Sequence, residues 1–575
     1  MISIYPRKRK IIKVSSFLIK NQKIVNIFFL SFVFFSFIGN SQDLGNLKNQ
    51  KPFTIRGSLG TSASVYSQSG TNPNSSPFSW MVTGNFQANI YGVDLPFSFV
   101  YSERDRNYRQ PFNQFGLSPH YKWFTAHLGY RNLNFSSYTL AGYSILGAGF
   151  EMNPGKLRVG FIYGRFNRET GYPGNGINPT PAYKRNGFSF KAGYGTKTNF
   201  FDLIFLKAQD DSTSLKRDSN FTGLNPASNV VIGYNSKFTI AKGFTFESEG
   251  ALSVYTENVR NDSASETVNN MVKSFKGVVP VNITSEDNTA VRVALGYKIK
   301  NYSLKLQYRR IAPNFKSMGA YFINNDFQNI TLEPGVKFPQ KKLNIRGSIG
   351  LQQDNLSKNK KTTSARTIGS AGLSWNPGKF GLDINYSTLT TSQKAGNIPL
   401  VDTSKVFQSN QSLTFTPRYM FASAKNNNSI TLVYSYLVMN DHNDKTADFT
   451  EFMVNNAILS YTIAEKEGKY AVNAGVNYSG FTRKNTSTNL YGFSAGYTKS
   501  LLKKMLTLTV PLSVMKSDIP GAGSVILNFF PTANMQIKNK HNFSLQASYI
   551  ANYADAGSTG SYHEIKAEIG YIYNF

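Results

Sequence analysis

Residues 564–575, EIKAEIGYIYNF, alternate strictly between two chemistries and stop on an aromatic. Ile565, Ala567, Ile569, Tyr571, Tyr573 and Phe575 are apolar, whereas the interleaved Glu564, Lys566 and Glu568 are charged. An extended strand sends successive side chains to opposite faces. One face of this stretch therefore suits lipid and the other water, which is the pattern of a strand in a transmembrane β-barrel. The competing assignment is the edge strand of a soluble sandwich, and the rest of the chain decides between them.

The other end agrees with an exported protein. Residues 1–23 carry Arg7, Lys8, Arg9, Lys10, Lys13, Lys20 and Lys23 with no acid, and residues 24–38 (IVNIFFLSFVFFSFI) are apolar. Gly39, Asn40 and Ser41 then supply small residues, so 1–41 reads as a secretory signal peptide and 42–575 as the mature chain. The apolar run is shorter than the roughly twenty residues a helix needs to cross a bilayer. The sequence has no cysteine, which excludes a lipid-modified cysteine, a disulfide framework and a thiolate metal site.

Composition narrows the class further. The 575 residues include 33 Tyr, 45 Phe and 46 Gly, yet no later run is apolar for long enough to make a membrane helix. Such a mixture is expected where lipid-facing and water-facing residues alternate. The formal charge is +31, of which seven cations lie in 1–23, leaving +24 for the remainder. Anionic partners follow. For an exported chain these are lipid phosphates and anionic solutes, with no nucleic acid.

Along 42–575, amphipathic segments are separated by short and long connections in turn. Tight turns are expected at, among others, Pro119-His120, the two NPGK tetrapeptides at 153–156 and 376–379, and Lys300-Asn301. Longer loops are expected at 132–144, 258–284 and 392–404, with 258–284 polar, Ser/Asn-rich and mobile. Tyr302, Leu304, Leu306 and Tyr308 share one face of a strand, and Ser303, Lys305, Gln307 and Arg309 the other. Counting such segments gives an all-β chain: a single large antiparallel transmembrane barrel of about 26 strands, within 24 to 28. An even count places both termini in the periplasm, with short turns there and long loops outside. No separate N-terminal domain fits, and the location is the outer membrane of a Gram-negative cell. Most short turns carry lysine, for example Lys156, Lys300, Lys379 and Lys503, which forms a cationic ring suited to lipid phosphates.

Residues 118–158, SPHYKWFTAHLGYRNLNFSSYTLAGYSILGAGFEMNPGKLR, resemble a run in large uncharacterised outer-membrane β-barrel proteins of Bacteroidota. The resemblance implies the fold and the location and carries no established activity. The arrangement is similar to that of porins, in which a loop after an early strand folds into the lumen. Loop 132–144 is apolar for a solvated loop, and Leu133, Phe135, Tyr138, Leu140 and Tyr143 are expected to form a constriction or to pack on a partner. The aromatic end, Tyr571, Tyr573 and Phe575, resembles the C-terminal signal read by barrel-insertion machinery, which makes that machinery and outer-membrane lipids the expected partners.

Enzymatic readings find little. His120, His127, His442, His541 and His563 are scattered without metal-ligand spacing, and no GxSxG elbow is present. No Ser/His/acid grouping is visible in the sequence. Asp441, Asn443, Asp444 and Asp448 cluster in one loop but miss the calcium-loop consensus. No cofactor, metal site or catalytic residue is expected. The leading function is a porin-like channel narrowed by in-folded loops, in which the lumenal cations Arg56, Arg158, Lys305, Arg309 and Arg346 favour anions. The first alternative is a barrel subunit of a secretion or assembly complex, plugged by a partner protein. The second is a surface adhesin or receptor using its outer loops.

Overall fold

The computed structural model describes residues 52–70, 75–103, 110–171, 181–215, 224–263, 268–397, 399, 401, 405–484, 486–519, 521–555 and 560–575. The expected signal peptide, 1–41, lies outside these residues. Two compact units are present. The smaller is Met1–Thr54, described from Pro52, with Asn89–Val93; in it the Tyr91 N–H donates to the Pro52 carbonyl at 3.3 Å. The larger, Ile55–Ala88 with Asp94–Phe575, carries the barrel.

Alternation in the sequence becomes one antiparallel sheet closed on itself. Each strand pairs with its neighbours in the chain, and the first, Phe53–Ser69, pairs with the last, Tyr562–Asn574, from Ser58 opposite Asn574 to Ser69 opposite His563. Closure is required: an open edge in hydrocarbon would leave backbone groups unsatisfied at several kcal/mol each. Phe575 and Gly57 complete the seam by exchanging both backbone hydrogen bonds at 3.1 Å. Among the described residues 28 strands form 26 staves, because two staves are each broken in two. Gln114–Leu117 and His120–Tyr121 share one stave, and Ser524–Phe529 and Thr532–Ile537 share another. Both breaks fall at a proline, Pro119 and Pro531, which cannot donate to the ladder. The expectation of a turn at Pro119-His120 is therefore corrected. Pro119 kinks a stave, its carbonyl still accepts from the Ala126 N–H at 2.8 Å, and the chain reverses at Lys122, whose φ is +53°.

Residues directly opposite in an antiparallel ladder share a face. Propagating that rule around the sheet puts Leu203, Leu304, Leu306, Ile349, Val476, Phe493, Ile565 and Ile569 on the outside, exposed. An outer face of exposed large apolar side chains on a closed barrel is the architecture of a membrane-spanning barrel. Among the described residues no helix is long and apolar enough to cross a membrane.

Residues 257–284 depart from expectation. Instead of a polar mobile loop, the described part folds over the outer wall. Asn269 caps a one-turn helix, Asn270–Lys273, by accepting from the Val272 N–H at 2.9 Å. Val272 and Val279 are buried with Val230 and Val254, and Phe275, Val278 and Val281 pack beside them. Val230 and Val254 stand one residue out of phase with Val231 and Ser253, which face the interior, so this cluster is external. The apolar residues at 268, 272, 275, 278 and 279 carry a helical spacing that the Ser/Asn content obscured.

Candidate functional site

Among the described residues, inserted loops fill the interior of the barrel on one side only. Loop 132–144, between Phe124–Arg131 and Ile145–Met152, turns inward at a tight tip in which Phe135 N–H donates to the Leu140 carbonyl at 3.0 Å. Its Leu133, Phe135, Tyr138, Leu140 and Tyr143 are all buried, Leu140 completely, in one cluster with Ile162, Ile204, Leu206 and Val231 of the wall. Each such side chain contributes about 1.5–3 kcal/mol from burial. The wall makes room for the loop: a Cβ on Gly160 would lie 2.8 Å from the Phe135 ring, and one on Gly233 would lie 2.5 Å from the Thr139 methyl. Burial, with the Glu249 carboxylate nearby, pushes the Tyr138 hydroxyl up to about 12, so it stays a neutral phenol at physiological pH.

A second inserted loop, 312–326, was not singled out from the sequence. It lies beside the first through a parallel bridge: Ala141 N–H donates to Gly319 O and Tyr321 N–H to Ala141 O, each at 3.0 Å. Ser317 Oγ donates to Thr139 O at 2.6 Å, and the wall holds the loop from behind through Asn229 Oδ1 to Met318 N–H at 2.9 Å and Ser253 Oγ to Lys316 O at 2.6 Å. Glu249 accepts from the Ser137 N–H at the tip of the first loop and pairs with Arg292 at 3.2 Å. Phe315 and Met318 join the same core. Their presence, with Tyr321, Phe322 and Ile323, in a stretch between strands was the available signal.

The five expected cations all take the inward-facing parity of their strands, but the structure does not assemble them. Arg158 grips Asp202 with two hydrogen bonds, 2.7 and 2.8 Å, and lies over the Phe200 ring. Arg56 donates to Gln87 at 3.1 and 3.2 Å, and Arg309 donates to Asn329 at 3.4 Å and stacks on Phe327. Lys305 lies 3.7 Å from Glu247, a carboxylate already held by Lys237 at 2.8 Å. Only Lys305 and Arg346 come together, in a trough of 910 Å³ along the uncovered wall that also contains Lys298, Lys337 and Glu333. The acids Glu151, Asp202, Asp210, Glu247 and Glu249 face inward among these cations. Their parity was readable in their strands, whereas their partners, such as Arg158 for Asp202, required the register.

Asp202 is 2% and Arg158 18% exposed at their side chains, so removing the acid leaves a largely buried guanidinium without its partner. Asp202→Ala is expected to cost about 3–5 kcal/mol, read as a lower temperature for loss of the compact, heat-modifiable band in gel electrophoresis. The double variant Arg158→Ala/Asp202→Ala should recover part of that loss.

The structure also assembles a Ser/His/acid row that the sequence did not reveal. Ser118 Oγ is 3.1 Å from His127 Nδ1, and His127 Nε2 is 3.5 Å from Glu151. Lys191 shares Glu151 at 3.2 Å and lies over the Phe135 ring, so the row acts as a charged clasp between wall and inserted loop. The acidic cluster is structural too: Asp441 accepts from the Thr446 and Thr450 hydroxyls at 2.7 and 2.6 Å, and Asp448 pairs with Lys484. Among the described residues no group of acids and histidines is arranged to hold a metal ion.

At the seam, the Phe575 ring stacks on Phe86 at 5.5 Å and touches Tyr573 at 5.9 Å, while Tyr571 lies against Phe543 at 4.8 Å. Tyr571, Tyr573 and Phe575 thus all take the outward parity.

No family model matches the chain, and no curated protein matches it. Among solved structures it is similar to Pseudomonas aeruginosa OpdQ, at 8% identity over 62% of this chain and 96% of that one, with a TM-score of 0.35. It is similar to the outer membrane protein OpdK of the same organism at 10% identity, over 61% and 94%, with a TM-score of 0.29. A third likeness is to the E. coli P pilus tip assembly intermediate PapC-PapD-PapK-PapG, at 10% identity over 90% of this chain and 60% of that one, with a TM-score of 0.43.

Proposed function

We propose that this chain is a porin-like channel of the outer membrane, through which solutes pass along the part of the lumen that the two inserted loops leave uncovered. The observation that carries this reading is the one-sided filling. The apolar loops lie against the wall between Ile145 and Ile311, while the strands from Phe327 onward keep an open, largely polar inner face and the 910 Å³ trough. A barrel of this many strands encloses far more space than its wall side chains can fill. In this reading the 132–144 loop is the constriction, both termini and the lysine-bearing turns face the periplasm, 1–41 is the removed signal peptide, and Tyr571, Tyr573 and Phe575 guide insertion into outer-membrane lipid. The resemblance of residues 118–158 supports a bacteroidotal kinship.

Pairing of the lumenal cations sets the selectivity. Arg158 is neutralised by Asp202 and Lys305 lies near Glu247, which leaves the trough cations to bias the pore. Purified full chain in a planar bilayer should therefore pass discrete currents with a modest preference for chloride over potassium, about three-fold at low salt, shrinking as salt screens the charges. Absence of any conductance across voltage and pH would remove the channel reading.

A further inference from the structure

The uncovered wall is not uniformly polar. In the half of the barrel nearer the long loops, large apolar side chains occupy the inward parity: Ile368 stands opposite Leu389, Leu437 opposite Val454, Val454 opposite Phe481, and Met515 opposite Gly492. Leu437 also stands opposite Ser412, and Ser412 opposite Ser387, which ties these residues to the polar interior face. Ile368, Leu389, Leu437 and Phe481 are exposed, and Phe452 stacks on Phe481 at 5.9 Å. These apolar residues form two groups, Ile368 with Leu389 and Leu437 with Val454 and Phe481, separated by Asn410 and Ser412 of the strand between them, and exposed apolar groups of this size mark a surface that meets something other than water.

The stripe begins where the trough ends. Ser370, Ser387 and Ser412 line the trough, and Ile368 and Leu389 are each the next inward-facing residue along their strands, about 7 Å further. Toward the short-turn end the trough offers Lys298, Lys337 and Arg346, with Lys305 near Glu247, and Glu333 as the carboxylate of its lining. Lys298, Lys337 and Arg346 make no ion pair with a described residue, and Gly372 leaves the Arg346 side chain room to lie across the wall, where a Cβ would come within 3.0 Å of its Nε.

We infer that this surface is a binding track for amphipathic anions: a carboxylate or other anionic head seated among the trough cations, with an aliphatic or aromatic tail laid over Leu389 and across to Leu437 and Phe481. The inference rests on the channel reading and specifies its solute class. A purely polar anion would gain nothing from the stripe, and a neutral hydrocarbon nothing from the trough.

The test uses the purified full chain conducting chloride in a planar bilayer, with straight-chain carboxylates from acetate to octanoate, and the alcohols of equal length, added as blockers. Block should tighten about two-fold per added methylene, half on a logarithmic scale of what complete burial gives. Carboxylates should block about three-fold more tightly than the alcohols, as partly screened charges permit. Leu437→Ser/Phe481→Ser should flatten the dependence on chain length with chloride current retained, and Lys337→Gln/Arg346→Gln should erase the difference between carboxylate and alcohol. Equal block by acetate and octanoate in a conducting barrel overturns the inference and leaves the channel intact. No chloride current at all sinks the channel reading and the inference with it. A protein recovered at stoichiometric amount on the stripe overturns the solute assignment in favour of a docked plug.

Discussion

Unseating the 132–144 loop is expected to raise single-channel conductance roughly 1.5-fold, because the two loops obstruct the lumen along about a third of the wall of a barrel whose width is fixed by its strand number. Leu140→Asp is the sharpest way to do it. Leu140 is completely buried between loop and wall, so an aspartate there loses the apolar contact and must bury an uncompensated charge, a combined cost of several kcal/mol. The loop can escape that cost by leaving the wall, whereas the barrel, held by its own ladders, cannot. Gly319→Val attacks the same plug from the second loop. Its Cβ would lie 2.6 Å from the Thr139 backbone oxygen, which has no freedom to move while the parallel bridge between the loops persists. Met271→Asp, on the external segment and half exposed, serves as the control and should leave the conductance where it was. Wild-type conductance in both plug variants, with the barrel folded, would show that the loops do not limit the pore.

These expectations draw unequally on sequence and structure. The closed barrel was legible because it depends on a local property, the strict alternation in segments such as 302–309 and 564–575, repeated until the strands had to close. The inward parity of Arg158 and Lys305 was legible for the same reason. What those cations do was not, because Asp202 is 44 residues from Arg158 and Glu247 is 58 from Lys305, and only cross-strand register brings such pairs together. Loop 132–144 announced itself by too many apolar residues for a solvated loop. Loop 312–326 carries the same signal, but it sits where a short apolar run passes for the end of a strand. The external segment 257–284 misled through composition, since its Ser and Asn content hid Val272 and Val279. Pro119 misled through chemistry, since a proline that breaks a ladder and a proline that starts a turn look alike until the pairing on both sides is known.

Deleting Phe575 is expected to lower the amount of assembled barrel about ten-fold while leaving the barrels that form unchanged in fold. Two separate losses contribute. The deletion removes both backbone hydrogen bonds with Gly57 at the closing seam, and it removes the ring that stacks on Phe86. Together these are worth about 2 kcal/mol or more, and they fall on the step that closes the sheet. Phe575→Ala keeps the backbone bonds and loses only the ring, so it should show a smaller defect, and Phe575→Tyr should assemble nearly normally. Phe86→Ala separates the two roles the terminal ring can play. It abolishes the stack without touching the C-terminal residue, so a ring that serves as a signal for the insertion machinery predicts normal assembly in Phe86→Ala and poor assembly in Phe575→Ala. A ring that serves only to close the seam predicts equal defects in both. The measurement is the heat-modifiable, membrane-integrated fraction of each variant at matched expression, and normal yield from the Phe575 deletion would exclude either role.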